Sequence, residues 1–229
     1  MGQGMSHRTY RGRISYIHDR LGETGREWFT VTVGPDRQRT VRALCEMDDD
    51  RVLRDVTYTV DGAWRPQDAF VRLSVADRFV GSAWFRFSDQ GAECEASLAR
   101  EGRVSQRVEL GHRPPIFAPH PLVCDGWQAA AFDHSRPETI QSFPNACNSS
   151  HMANGGSGPL IGWVDKKLEH VGDGTLTVPA GSFDVRHYRI ILPDDRPPLL
   201  LWVTGEDRLL VRLSWTLLES RYDLVELER

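Results

Sequence analysis

The sequence predicts an all-β protein, an antiparallel meander that closes into a β-barrel or a curled half-barrel, with a short helical lid insertion. Short runs rich in Val, Thr, Phe, Trp and Tyr recur on both sides of a central segment of different composition. Turn-forming residues separate the runs, and neither a strand–helix alternation nor an internal repeat is visible. Roughly a dozen successive strands are expected to curl or close, because closure removes unpaired sheet edges.

The predicted strands are bounded by residues that favour turns, such as those at 34–36, 48–50, 61–62 and 89–91. The strands are expected at residues 13–18, 28–33, 40–47, 52–60, 70–75, 79–87, 92–98, 104–110, 175–178, 183–192, 199–203, 209–215 and 221–226.

The composition is that of an ordinary globular domain. The chain has 229 residues, with 28 Lys and Arg against 32 Asp and Glu, and 40% of its residues are hydrophobic. One domain spanning residues 1–229 is therefore expected, large enough to bury a core without disulfides or a structural metal. A net charge of −4 gives no electrostatic reason to bind phosphate backbones, so no nucleic-acid partner is predicted.

No targeting or membrane segment is predicted. The N-terminal residues are polar, and the densest apolar stretch, residues 199–203, is too short to cross a bilayer. We therefore expect no membrane partner and a cytoplasmic location. The four cysteines contain no CxxC pair and are expected to be reduced thiols.

Residues 112–160 differ from both flanks, and we call them the lid segment. They contain five charged side chains, seven of the 13 prolines and four of the eight histidines. A long segment of this kind inside a compact domain is typically a lid or a binding loop. Capping patterns predict two short helices, starting near Asp125 and Ser135, and Asn, Ser and Gly predict a mobile loop over residues 145–159.

Strand alternation identifies polar side chains that share a face with apolar ones. Tyr16 and His18 lie on the face of Ile14, and Arg54 and Tyr58 lie on the face of the valines of their strand. The same count places His187 and Arg189 on the face of Phe183 and Val185. An arginine on an apolar face must meet an acceptor, either an internal group or the acidic group of a ligand.

A resemblance is carried by residues 178–183 (VPAGSF), followed by residues 187–189 (HYR), the strand at 201–203 and the C-terminal strand at 221–225. These residues, in a stretch of about 50, resemble the C-terminal half of an uncharacterised β-barrel family of Gram-negative bacteria. That family is similar in fold to the periplasmic lipoprotein carriers and to the violacein-pathway enzyme. The resemblance implies an open barrel with a ligand-holding concave face.

The sequence favours a cofactor-independent acid–base enzyme that acts on a small apolar, preferably aromatic, acid inside the barrel, by decarboxylation, elimination or isomerisation. The predicted partner is thus a small hydrophobic or aromatic ligand, and a homodimer is compatible with the sequence. Neither a cofactor nor a metal is expected, since the histidines and cysteines lack HxH, HExxH and CxxC spacing. The predicted catalytic residues are His18, His187, His120, His134 and Tyr58, and the predicted substrate-binding residues are Arg54, Arg189, Tyr16, Trp127 and Phe132.

Two other classes of function remain open at this stage. The first is a non-catalytic carrier or sensor, a lipocalin-like protein with the same pocket and no chemistry. The second is a structural protein, whose concave face would be filled by side chains and would hold no cavity.

Overall fold

The computed structural model of the protein describes residues 7–193 and 195–229, so part of the polar N-terminal stretch lies outside the described residues. The described strands form one 15-stranded sheet in the order β8-β7-β6-β5-β4-β3-β2-β1-β15-β14-β13-β12-β11-β10-β9. The strands are β1 (Arg8–His18), β2 (Gly22–Val33), β3 (Arg39–Met47), β4 (Val52–Val60), β5 (Pro66–Val75), β6 (Arg78–Ser88), β7 (Gly91–Leu98), β8 (Gly102–Glu109), β9 (Phe117–Ala118), β10 (Ile140–Asn148), β11 (Gly162–Val178), β12 (Gly181–Ile191), β13 (Leu199–Thr204), β14 (Leu210–Trp215) and β15 (Ser220–Glu228).

The sheet is a curled half-barrel that does not close, because β8 and β9 end it without pairing with each other. The predicted fold class is confirmed. Neighbouring strands from β1 to β8 and from β10 to β15 pair as antiparallel hairpins, and β9 pairs with β10 in parallel. The antiparallel pairing of β1 with β15 joins the two halves of the meander.

Alternation along the strands produces the buried concave face. In β4, the side chains of Val52, Arg54, Val56 and Tyr58 are buried, whereas Leu53 between them is 40% exposed. The predicted face of this strand, with its inward arginine, is therefore confirmed.

The lid segment covers this face. Its helix α1 (Leu122–Gln128) continues into a short 3-10 turn (Ala129–Ala131), and nearly all of α1 is buried. Phe117 of β9 packs against Phe85 and Phe87 of β6 at ring-centroid distances of 5.1 and 4.7 Å. No helix in the described part of the chain is long and apolar enough to span a membrane.

The helices of the lid segment differ from the prediction. α1 starts at Leu122, three residues before the expected start at Asp125, and its N-cap, Pro121, makes no side-chain capping hydrogen bond. The second predicted helix, near Ser135, is wrong. There the Asp133 carboxylate accepts hydrogen bonds from the backbone N–H and hydroxyl of Ser135, which stabilise a turn instead. The predicted loop over 145–159 begins as strand, because β10 extends to Asn148.

The predicted inward orientation of His187 and Arg189 is also wrong. Tyr188 and Ile190, the alternate residues of β12, are the ones buried in the core. Arg189 is exposed and pairs with Glu169 of β11 at 3.2 Å. The alternation of β12 is regular, since its register with β13 is continuous from Val185 to Ile190. The count failed because Phe183 and Val185, the apolar residues that set the predicted face, lie on the face opposite Tyr188 and Ile190.

Candidate functional site

A cavity of about 200 Å³ lies between the lid segment and strands β11 to β14. One wall is apolar and includes Ile190, Leu199 and Trp215. The other wall is formed by polar side chains of α1, of β11 and of the chain segments next to these two elements. Apolar walls with a few converging polar groups are the usual form of a small-molecule site. The polar side chains that line the cavity include those of His120, Asp125, Gln128, Asn148 and Lys166.

Lys166 is the central polar group of the cavity. It shares a face of β11 with Val164 and Leu168 and is only 4% exposed. Its Nζ donates hydrogen bonds to Oε1 of Gln128 at 2.9 Å and to Oδ1 of Asn148 at 2.8 Å. Burial lowers the pKa of Lys166 to about 8, although the negative charge of Asp125 opposes this shift.

Asp125 and Gln128 are one helical turn apart on α1, so both side chains reach the same region. Nε2 of Gln128 donates to Oδ1 of Asp125 at 2.6 Å, while its Oε1 accepts from Lys166. Gln128 therefore connects the carboxyl group and the amine. Burial raises the pKa of Asp125 to about 6, with Lys166 acting in the opposite direction.

His120 adds an uncharged imidazole to the polar wall. Its Nδ1 lies 3.1 Å from the Ser149 hydroxyl, in hydrogen-bond contact. Burial, and then the positive charges of Arg54 and Lys166, lower the pKa of His120 to about 3. The ring is therefore neutral at pH 7. The backbone of His120 has a φ of 78°, which is in the left-handed region.

Arg54 lies behind His120 and not in the cavity wall. Its buried guanidinium donates to the backbone carbonyl of Asn154 at 2.6 Å. The requirement for an acceptor is thus met by the lid segment itself. Gly155 packs directly on this pair, since a Cβ there would lie 2.3 Å from Nη2 of Arg54 and 2.9 Å from Cγ of His120.

Another carboxyl group lies at the start of α1, outside the cavity lining. Glu27 of β2 is fully buried and accepts hydrogen bonds from the backbone N–H groups of Leu122 at 2.6 Å and Val123 at 2.9 Å. It also accepts from the Tyr16 hydroxyl at 3.1 Å. Burial raises the pKa of Glu27 to about 7, although the two backbone hydrogen bonds oppose the shift. Glu27 therefore supplies the cap that α1 lacks in its own sequence.

The predicted aromatic residues are core residues between the sheet and the lid segment. Tyr58 packs between Phe117 and Trp127, with centroid distances of 5.5 and 5.6 Å. Phe132 is buried against Tyr188 at 5.8 Å. The hydroxyl of Tyr188 in turn lies 2.7 Å from Nε2 of His134.

The remaining predicted residues lie elsewhere. Nε2 of His18 is 3.7 Å from the Glu219 carboxylate at the end of β1, and His187 stacks on Trp202 at 4.3 Å. Of the ten predicted site residues, His120 is the one that lines the cavity. The functional roles predicted for all ten stay predictions.

Sequence reasoning missed Lys166, Asp125, Gln128 and Asn148. One signal was available for Lys166, because it alternates with Val164 and Leu168 in the pattern of an inward-facing strand residue. Among the described residues, no group of three His, Cys, Asp or Glu side chains is arranged to hold a metal ion.

The half-barrel with its covering segment is similar to a solved structure. The chain has a TM-score of 0.59 and 11% identity to a β-barrel-like protein of the DUF1849 domain family, a domain of unknown function, from Brucella abortus, covering 96% of this chain and 97% of the other. At this identity the likeness supports the fold alone. A DUF1089 family protein from Pseudomonas aeruginosa has a TM-score of 0.49 and 9% identity, covering 82% of this chain and 88% of that one. No protein-family model matches the sequence, and no curated protein matches it significantly.

Proposed function

We propose that the lid cavity is the active site of a cofactor-independent acid–base enzyme that acts on a small, largely apolar acid, preferably an aromatic one. The observation that carries the proposal is the pair formed by Lys166, which is buried, and Asp125, which is half-buried; both line one cavity and are connected through Gln128. Burial moves the pKa of the lysine down to about 8 and that of the aspartate up to about 6. A general acid or base works best with a pKa near the working pH.

The other groups of the cavity fit this assignment. Ile190, Leu199 and Trp215 offer an apolar surface to a hydrophobic ring. Arg196, a positively charged residue, also lines the cavity. The neutral imidazole of His120 can donate or accept a hydrogen bond with the substrate without adding a charge to the cavity. Proton transfer by an acid and a base such as Asp125 and Lys166 underlies decarboxylation, elimination and isomerisation.

The test follows proton NMR signals of a panel of arylacetic, arylpyruvic and hydroxybenzoic acids, incubated with the protein in D₂O. We expect hydrogen–deuterium exchange or conversion of at least one acid. Lys166→Met and Asp125→Asn should each lower the rate about 100-fold or more, since a positioned acid or base contributes on the order of 10²–10⁴. The control is Lys167→Met, because Lys167 is the exposed neighbour on the opposite face of β11. The proposal is wrong if no acid reacts, or if Lys166→Met keeps the wild-type rate.

A carrier or sensor of the same ligand is the second candidate, and the apolar wall of the cavity favours it. The resemblance of the C-terminal strands to a family related in fold to the lipoprotein carriers also supports it, whereas the relation to the violacein-pathway enzyme supports catalysis equally well. Mass spectrometry of ligands retained by the purified protein separates the two. A carrier returns its ligand unchanged after long incubation, and an enzyme returns a mixture of substrate and product.

A further inference from the structure

We infer that Lys166 is an amine nucleophile, which forms an imine with an aldehyde or ketone bound in the lid cavity. This inference rests on the proposed function and narrows its substrate class to small carbonyl compounds that carry an acidic group. It depends on the two hydrogen-bond partners of Nζ and on their place in the cavity.

Both partners of Nζ are neutral amide oxygens, Oε1 of Gln128 and Oδ1 of Asn148. A buried ammonium group is normally paired with a carboxylate, because it carries a full charge and three donors. A neutral amine instead has two N–H donors and one lone pair. Two amide oxygens match those two donors, and these are the two hydrogen bonds that Nζ makes within the described part of the chain. The lone pair is thus free to react in the cavity that Lys166 lines.

Enough of the amine is neutral for this chemistry at ordinary pH. Burial lowers the pKa of Lys166 to about 8 from the usual 10.5. At pH 7 roughly a tenth of the side chain is then neutral, about 300-fold more than for an ordinary lysine. Desolvation in an apolar pocket is an established means of activating a lysine toward carbonyl groups.

Asp125 supplies the proton that the reaction requires. The lone pair of Nζ attacks the carbonyl carbon and forms a C–N bond, while the C=O π electrons move to the oxygen, which becomes a hydroxyl group as nitrogen loses a proton. The hydroxyl group then leaves as water after it accepts a proton from Asp125, and C=N forms. Asp125 regains a proton from the nitrogen. No electrons are gained or lost, so no oxidant or reductant is needed.

The size and walls of the cavity define the carbonyl compound. Its volume of about 200 Å³ corresponds to roughly seven water volumes in the liquid, room for a small molecule with one ring. Trp215 and Ile190 offer an apolar surface, and the positively charged residue Arg196 is part of the lining. An aryl-substituted oxo acid has the ring, the carbonyl group and the acidic group of the proposed substrate class, and an aromatic aldehyde is an analogue that lacks only the acidic group.

The experiment traps the imine in the full-length wild-type protein. Benzaldehyde and phenylpyruvate are added separately with sodium cyanoborohydride at pH 7, and the reduced adduct is located by peptide mass spectrometry. The adduct mass equals that of the carbonyl compound less one oxygen atom. We expect Lys166 to react at least tenfold faster than its neighbour Lys167, which serves as the internal control. Equal rates, or an adduct confined to another amine, would refute the inference.

A second variant tests the geometry directly. Gln128→Glu is nearly isosteric and places a carboxylate beside Nζ, which stabilises the ammonium form. We expect at least tenfold slower trapping at Lys166, with unchanged circular dichroism and an unchanged rate at Lys167. An unchanged rate at Lys166 in this variant would contradict the role given to the amide oxygens. If the acids exchange deuterium through Lys166 but no imine is trapped, only this inference fails. If the acids neither bind nor exchange, the proposed function fails as well.

Discussion

Individual residues of the lid segment depend on very close packing, and Gly155 is the clearest case. Its φ of 68° is in the left-handed region, and its Cα faces the guanidinium of Arg54 and the ring of His120. A side chain would therefore meet two obstacles, an unfavourable backbone conformation and a direct overlap with Nη2 of Arg54.

Gly155→Ala separates these two obstacles when it is compared with Gly102→Ala. Gly102 has a similar φ of 73° but nothing lies within 4 Å of its Cβ position. We expect Gly102→Ala to lower the free energy of unfolding by about 1 kcal/mol and Gly155→Ala by about 2–4 kcal/mol. Urea denaturation measures both values. Equal losses would show that the contact with Arg54 and His120 has no energetic cost.

Arg54 and Arg189 show what the alternation of side chains along a strand can and cannot predict. Arg54 lies in β4, and the register of β4 with both neighbouring strands is continuous around this residue. The two-residue alternation of side chains therefore identifies the face of Arg54 correctly. Arg189 also lies in a regular strand, but the same alternation gives the wrong face because Val185, an apolar residue used to choose the face, lies opposite the buried Tyr188 and Ile190. The cavity residues of α1 could not be found this way, because a seven-residue helix between two irregular segments has no strand periodicity.

At the scale of elements, the notable contact is the one between β2 and α1. The helix takes its N-terminal cap from Glu27, which is 95 residues away in sequence from Leu122. No local pattern reveals such a cap, and this is why the predicted start of the helix was three residues late. The dipole of a helix favours a negative charge at this end, while burial disfavours the charge.

The competition between these effects predicts a pH dependence that belongs to Glu27. Its folded-state pKa is raised to about 7 from 4.5, so the contribution to stability is complete below about pH 4.5 and is lost as pH rises through 7. We expect the stability of the wild type, relative to Glu27→Gln, to fall on the order of 3 kcal/mol between pH 4.5 and 8. Urea titrations at several pH values measure this difference.

The comparison with Glu27→Gln also removes the contributions that Asp125 and His120 make to both proteins. Tyr16→Phe provides a second check, because it deletes the neutral donor that favours the ionised carboxylate. The fall in stability should then move to higher pH. A difference between wild type and Glu27→Gln that does not change with pH would contradict a raised pKa.

At the scale of the whole molecule, the lid segment holds an open sheet in its curled form. The edge strands β8 and β9 do not pair with each other, so no ring of hydrogen bonds maintains the curvature of the sheet. Aromatic packing between the sheet and the lid segment must therefore maintain it. The sequence was sufficient to predict this arrangement in outline, because strand spacing and the low charge of the lid segment are averages over many residues. It was insufficient for the cavity, which depends on contacts between single side chains.

Phe117 tests this view. Its ring is 2% exposed and contacts Tyr58, Phe85 and Phe87 from two strands of the N-terminal half. We expect Phe117→Ala to lower the free energy of unfolding by about 3–5 kcal/mol, whereas Trp84→Ala, at a position 42% exposed, should lower it by less than about 1 kcal/mol. Guanidinium denaturation followed by tryptophan fluorescence, or by circular dichroism for the Trp84 variant, measures both. Similar losses at the two positions would contradict the proposed role of the lid.

The pairing of β1 with β15 has a consequence for the growing chain. β1 has β2 on one side, but its neighbour on the other side is β15, which follows more than 200 residues later in the sequence. Until β15 has been synthesised, therefore, the future centre of the sheet has an unsatisfied row of backbone donors and acceptors. Ile14, which faces Leu224 across this junction, therefore has a complete environment only after β15 has been synthesised.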